Sequence, residues 1–108
     1  MNAPRFGLPV TAVQQISGVL ARYPQVEQAV LYGSRAKGNF KNGSDIDLTL
    51  QGTGLVHQDL LKVMDELDDL LLPYTIDLSL FASLTHPELI DHIRRVGVVF
   101  YEKKSLPA

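Results

Sequence analysis

The chain has 108 residues and a mass of 11.9 kDa, enough for one hydrophobic core and too short for two. At 45% hydrophobic and 20% charged, with a mean hydropathy near zero, it has the composition of a globular domain in water, not of a disordered tail or a membrane protein. A net charge of −2 excludes a bulk electrostatic grip on DNA, RNA or anionic lipid, and the lack of cysteine excludes disulfide scaffolds, thiolate zinc sites, iron–sulfur clusters and a Cys nucleophile. Met1 to Val13 holds no continuous apolar run, so neither a signal peptide nor a membrane span is expected and the cytoplasm is the default compartment.

Thr11-x-x-Gln14 has the form of a capping box, and Val13, Ile16 and Leu20 follow at helical spacing until Pro24, which predicts a first amphipathic helix. Gln25 to Tyr32 carries little charge on either alternating face and predicts a short, buried strand. Gly33 to Ser44 then holds three Gly and three cationic residues with no periodicity, a long connection for so small a domain and therefore a functional candidate. Asp45 to Leu50 alternates Ile46, Leu48 and Leu50 with Asp45, Asp47 and Thr49, predicting a strand with one apolar and one acidic face. His57 to Leu72 predicts a second main helix with Leu60, Met64, Leu67 and Leu71 on one stripe and a solvated acidic face from Asp65 to Asp69. Thr75 to Leu80 repeats the earlier alternation, with Asp77 on the polar side. Thr85-x-x-Glu88 predicts a cap for a last helix bearing Leu89, Ile90 and Ile93, with Gly97 at its C′ position and a strand over Val98 to Tyr101. Lys103 to Ala108 reads as a frayed tail of a single domain spanning 1–108. Such an alternation predicts an α/β (α+β) fold, a small mixed sheet with helices packed on one face.

The acidic strand faces point to chemistry. Asp45 and Asp47 sit at i and i+2, on one side of the strand and roughly 6.5 Å apart. If the strand bearing Asp77 lies beside theirs, at about 4.8 Å, three carboxylates converge. Alone, strand carboxylates are most simply a solvated surface; brought together they repel, raise one another's pKa and signal a bound cation. An all-oxygen set suits Mg²⁺ or Mn²⁺, and two such ions about 3.5–4 Å apart would clamp the attacking and leaving oxygens of a phosphoryl or nucleotidyl transfer. Gly33-Ser34, at a strand end, offers backbone N–H groups and a hydroxyl to a phosphate, with Ser34 capping a short helix at Arg35 to Lys37. Arg35, Lys37 and Lys41 add a local positive potential, and Arg35 reads equally well as a phosphate ligand or as a solvated cation. His57, His86 and His92 lack the i, i+4 pairing of a helical metal site and read as surface or capping residues. Arg94 and Arg95 complement the dipole of the last helix.

Gly33-Ser34, ten residues, then Asp45-Ile46-Asp47, all after an apolar strand, resembles the signature of the DNA polymerase beta-like nucleotidyltransferase superfamily. The longer string Leu31-Tyr32-Gly33-Ser34-Arg35-Ala36-Lys37-Gly38, with Ser44-Asp45-Ile46-Asp47-Leu48, is similar to its minimal nucleotidyltransferase (MNT) branch. The resemblance runs from the first helix to about Tyr101. It implies that Gly33, Ser34 and Arg35 hold the nucleotide, that Asp45, Asp47 and Asp77 bind the metals, and that Asp77 activates the attacking hydroxyl. Larger members carry a further domain for base or acceptor, and this chain is expected to lack one. Single-domain members resemble antitoxin-type partners of HEPN-domain proteins, some of which transfer AMP from ATP to a tyrosine of that partner. The implied ligands are therefore ATP or another NTP, Mg²⁺ and a HEPN-type protein, in a homo- or hetero-oligomer. The alternative is a non-catalytic nucleotide-binding or regulatory subunit that neutralises its partner by docking alone.

Overall fold

The computed structural model describes residues 6–41 and 43–103; the predicted tail beyond Lys103 lies outside the described residues. Lys103 itself is tied down: its backbone N–H donates to the Glu27 carbonyl (2.9 Å) and its Nζ to the Pro24 carbonyl (3.1 Å).

Helix α1 (Val10–Ala21) buries Ala12, Val13, Ile16, Val19 and Leu20, the predicted stripe and its flanks. Its N-cap is Pro9, whose carbonyl accepts from the Ala12 and Val13 N–H groups, so Thr11 lies inside the helix and does not cap it. Strand β1 (Gln28–Tyr32) follows, then the short helix α2 (Ser34–Lys37), strand β2 (Ile46–Gln51) and helix α3 (His57–Asp69). Strand β3 (Ile76–Leu80), a 3₁₀ turn at Phe81–Ser83, helix α4 (Pro87–Val96) and strand β4 (Val98–Glu102) complete the order. The sheet runs β3-β2-β1-β4. Strand β1 pairs antiparallel with β2 and β4, whereas β2 and β3, joined across α3, are parallel, the direction a helical crossover allows.

Alternation sorts the sheet into two faces. Ala29, Leu31, Ile46, Leu48, Leu50, Leu78 and Leu80 join the buried residues of α1 and α3 in the main core. Val30 and Tyr32 point the other way and pack on Ile93 of α4. The helices therefore do not all share one face, as the alternation alone suggested: α4 covers the opposite side at β1. Gly97 explains how closely it does so. It is extended (φ −63°, ψ 140°), not left-handed, and a Cβ there would overlap the Ile93 carbonyl and crowd Val30. The cap of α4 is also shifted from the expected Thr85: His86 accepts the Leu89 N–H on Nδ1 (3.4 Å), with Pro87 at the first helical position.

Helix α3 ends three residues earlier than the periodicity suggests. Leu70 is its C-cap and Leu71 takes a left-handed φ of 55°, so Leu71 leaves the stripe and is 87% exposed. The packed face is Leu60, Val63 and Leu67 instead. Buried Asp59 starts this helix: its carboxylate accepts the Val56 N–H (3.0 Å) and the Gln25 side-chain amide (3.1 Å). Glu66 binds Arg22 and the Tyr23 hydroxyl, joining α3 to the end of α1.

Candidate active site

Because β1 is antiparallel to β2, the end of β1 meets the start of β2, which delivers Gly33-Ser34 to the side of Asp45 and Asp47. Tyr32 stands opposite Asp47, and Asp47 stands opposite Asp77 on the parallel partner β3. Side chains in register share a face, so Tyr32, Asp47 and Asp77 form one row across three strands. Asp45 precedes β2 by one residue and lies exposed at its mouth, two positions from Asp47. The structure thus brings β3 beside β2 as the sequence reading required. Among the described residues no three His, Asp or Glu side chains close into a ready-made metal cage.

The electrostatics of the row centre on Asp47. Partial burial pushes its pKa above the ordinary carboxylate value, the nearby Asp77 and then Asp45 push it further, and His92 partly offsets them. A carboxylate that is partly buried and crowded by two others gains most from a cation that neutralises all three. The donors are oxygens only, which suits a hard divalent ion such as Mg²⁺ or Mn²⁺.

Gly33 is required by geometry. Its backbone (φ 79°, ψ −156°) falls in a region open essentially to glycine, and a Cβ would overlap Asp47 Oδ2. The Gly33 turn and the Asp47 carboxylate are therefore in van der Waals contact. Gly33, not Ser34, is the N-cap of α2; Ser34 is its first residue, half-buried, with a hydroxyl that has no partner among the described residues. That hydroxyl and the N–H groups of the first turn remain available to an anion.

Arg35, which reads from the sequence equally well as a phosphate ligand or a solvated cation, is buried in the structure, with its guanidinium on main-chain carbonyls. It is 3% exposed, and its Nε and Nη2 both donate to the Ser44 carbonyl (3.0 and 2.9 Å) while Nη1 donates to that of Phe6 (2.8 Å). The rings of Phe40 and Tyr74 lie 5.2 and 5.3 Å from its guanidinium carbon. The side chain is a strut that closes the loop from Gly33 to Ser44 and fixes the residue just before Asp45. Lys37 and Lys41 stay exposed on the same loop.

Two residues of the site were given no site role from the sequence: Tyr32, quoted only within the motif string, and His92, read as a surface or capping residue. Tyr32 packs edge-on to His92 of α4, with ring centroids 6.3 Å apart and planes at 82°. Burial raises the Tyr32 pKa, a hydrogen bond with Ser79 opposes the shift, and Asp77 and Asp47 add to it. Beneath them the Ser79 hydroxyl donates to buried Thr49 (3.0 Å). The signal for His92 was its spacing: Leu89 and Ile93 define the inner side of α4, and His92, three residues after Leu89, sits on the flank of that side.

The family model described as "Polymerase beta, Nucleotidyltransferase" matches residues 14–106. No curated protein matches the chain in sequence. Among solved structures, a chain of a toxin–antitoxin complex with AMP-PNP superposes with a TM-score of 0.68 at 20% identity, covering 85% of this chain and 74% of that one. A chain of the toxin–antitoxin pair MntA–HepT gives a TM-score of 0.65 at 18% identity, with coverage of 88% and 74%. A complex of tri-AMPylated HEPN toxin from Shewanella oneidensis with its MNT antitoxin gives 0.64 at 18%, with coverage of 87% and 72%. At these identities the likeness is one of fold.

Proposed function

The chain belongs to the polymerase beta nucleotidyltransferase family, and from that membership we propose that it transfers AMP from ATP to a hydroxyl on a HEPN-type partner protein, as the antitoxin of a toxin–antitoxin pair. The observation that carries this reading is the register that sets Asp47 opposite Asp77, beside a Gly33 whose backbone touches the Asp47 carboxylate. The choice of acceptor is supported by the structural neighbours, which include a toxin–antitoxin complex with an ATP analogue and an AMPylated HEPN toxin bound to its MNT antitoxin.

In this reading Gly33 and Ser34 hold the triphosphate with main-chain N–H groups and the Ser34 hydroxyl. Asp45, Asp47 and Asp77 would hold Mg²⁺, which when bound supplies charge neutralisation to the attacking and leaving oxygens. Asp77, exposed near the start of an edge strand, takes the proton of the acceptor hydroxyl. The acceptor oxygen forms a bond to the α-phosphorus, the bond from that phosphorus to the bridging oxygen breaks, and pyrophosphate leaves. Lys37 and Lys41 attract the polyanion to the loop.

The test is a pair of incubations with Mg²⁺ and host-cell extract, one with ATP labelled at the α-phosphate and one at the γ-phosphate. Label on a protein from the α position only, with γ label recovered in pyrophosphate, is the expected result. Label from the γ position would show phosphoryl transfer and overturn it. Neutralisation of the partner with no covalent change would leave docking alone as the function.

A further inference from the structure

On the helix-covered side of the edge strand β3 runs a groove of about 410 Å³, between that strand and α3. Its apolar lining includes Ile76 and Leu78 from the strand and Leu61 and Met64 from the helix. Leu61 is 51% and Met64 41% exposed, a large apolar investment on a helix whose other exposed positions are mostly charged or polar. The rim carries Asp65 and Asp68, and among the described residues neither carboxylate has an ion-pair or hydrogen-bond partner.

We propose that this groove docks a cationic amphipathic helix of the protein that presents the acceptor hydroxyl. The proposal rests on the transferase reading above and adds where the acceptor is gripped. Charge decides the occupant: an exposed apolar strip at Leu61 and Met64, with two carboxylates at the rim that have no partner among the described residues, complements an apolar stripe flanked by Lys or Arg. A second copy of this chain fits poorly, because a two-fold contact of groove on groove would set Asp65 and Asp68 against their own equivalents. The position suits delivery. Ile76 and Leu78 face the groove while Asp77, between them, faces the carboxylate row, so a protein seated there reaches Asp77 around a strand edge that has no neighbour among the described residues. Tyr74 also lines the groove, and its ring rests on the Arg35 guanidinium that holds the Ser44 carbonyl beside Asp45. Groove and site thus share both a strand and a strut.

Two double variants at exposed positions test this: Leu61→Lys with Met64→Lys, and Asp65→Lys with Asp68→Lys. Transfer of α-labelled AMP to the labelled host acceptor, once purified, should fall about tenfold or more in each, through a higher KM for the acceptor. ATP binding by calorimetry should be unchanged. In parallel, the pure chain is titrated with a helical peptide of about 18 residues, built of Leu at i, i+3, i+4 and i+7 with flanking Lys, and with its Glu-for-Lys counterpart. The Lys peptide should bind the wild type and neither variant, and the Glu peptide should not bind. Wild-type transfer by both variants, equal binding of the two peptides, or a wild-type dimer dissolved by the Leu61 and Met64 changes would overturn the proposal. If the wild type labels no protein at all, the transferase reading fails by itself, and the peptide pair still decides the charge-selective groove.

Discussion

At Asp47 burial and two neighbouring carboxylates act in the same direction, against the charged form. A carboxyl whose pKa is higher folded than unfolded holds more protons in the native state between the two values, so native stability falls as pH rises through that window from about the ordinary 3.8. Above the window the cost is complete. Asp47→Asn should therefore raise the thermal midpoint of the metal-free chain at pH 7 and flatten its pH dependence, as scanning calorimetry at several pH values would show. Mg²⁺ should stabilise the wild type and not this variant. A midpoint that falls in Asp47→Asn would show that the carboxylate is an ordinary structural residue. Arg35 gives the opposite kind of prediction. Its charge is buried on two main-chain carbonyls, and Arg35→Ala would remove three hydrogen bonds to them and the packing of the guanidinium on two rings, at a cost of about 2–4 kcal/mol by chemical denaturation. A cost near zero would return Arg35 to the role of a solvated cation.

At the scale of elements, period-two alternation made β2 and β3 legible, because Ile46, Leu48 and Leu50 and then Ile76, Leu78 and Leu80 each need one buried face. That requirement put Asp47 and Asp77 each on the polar face of its own strand, and would bring them together only if the strands were neighbours. Adjacency was the missing step, and the α3 crossover supplies it by making the two strands parallel neighbours. The end of α3 was less legible, since Leu71 continues the stripe in sequence yet sits in the left-handed conformation after the C-cap. Nothing in the apolar spacing reports φ. A leucine at positive φ is strained by roughly 1 kcal/mol, which asparagine tolerates better. Leu71→Asn should accordingly stabilise the chain by about 0.5–1 kcal/mol in urea, and destabilisation would mean that this exposed leucine has a packing partner. The role of Arg35 was illegible for a related reason: its direction depends on the closure of a loop, and the carbonyls it binds, Phe6 and Ser44, lie 29 and 9 residues away in the chain.

For the molecule as a whole, four strands in the order β3-β2-β1-β4 put the pair that carries the carboxylates at one edge, with α4 covering the same face at β1. His92 and Tyr32 therefore wall the row on one side, while Asp77 stays open on the other. In the proposed reaction a nucleotide would rest on the Gly33–Ser44 loop and the acceptor hydroxyl would approach along the β3 edge. No helix among the described residues is long and apolar enough to cross a membrane. The central claim is that these carboxylates carry out nucleotidyl transfer, and its most direct measurement is the rate of AMP transfer from α-labelled ATP with Mg²⁺ and extract, for the wild type and for a folded Asp47→Asn variant. The account predicts Mg²⁺-dependent labelling of a protein by the wild type and its loss in the variant. Undiminished labelling by Asp47→Asn would contradict it.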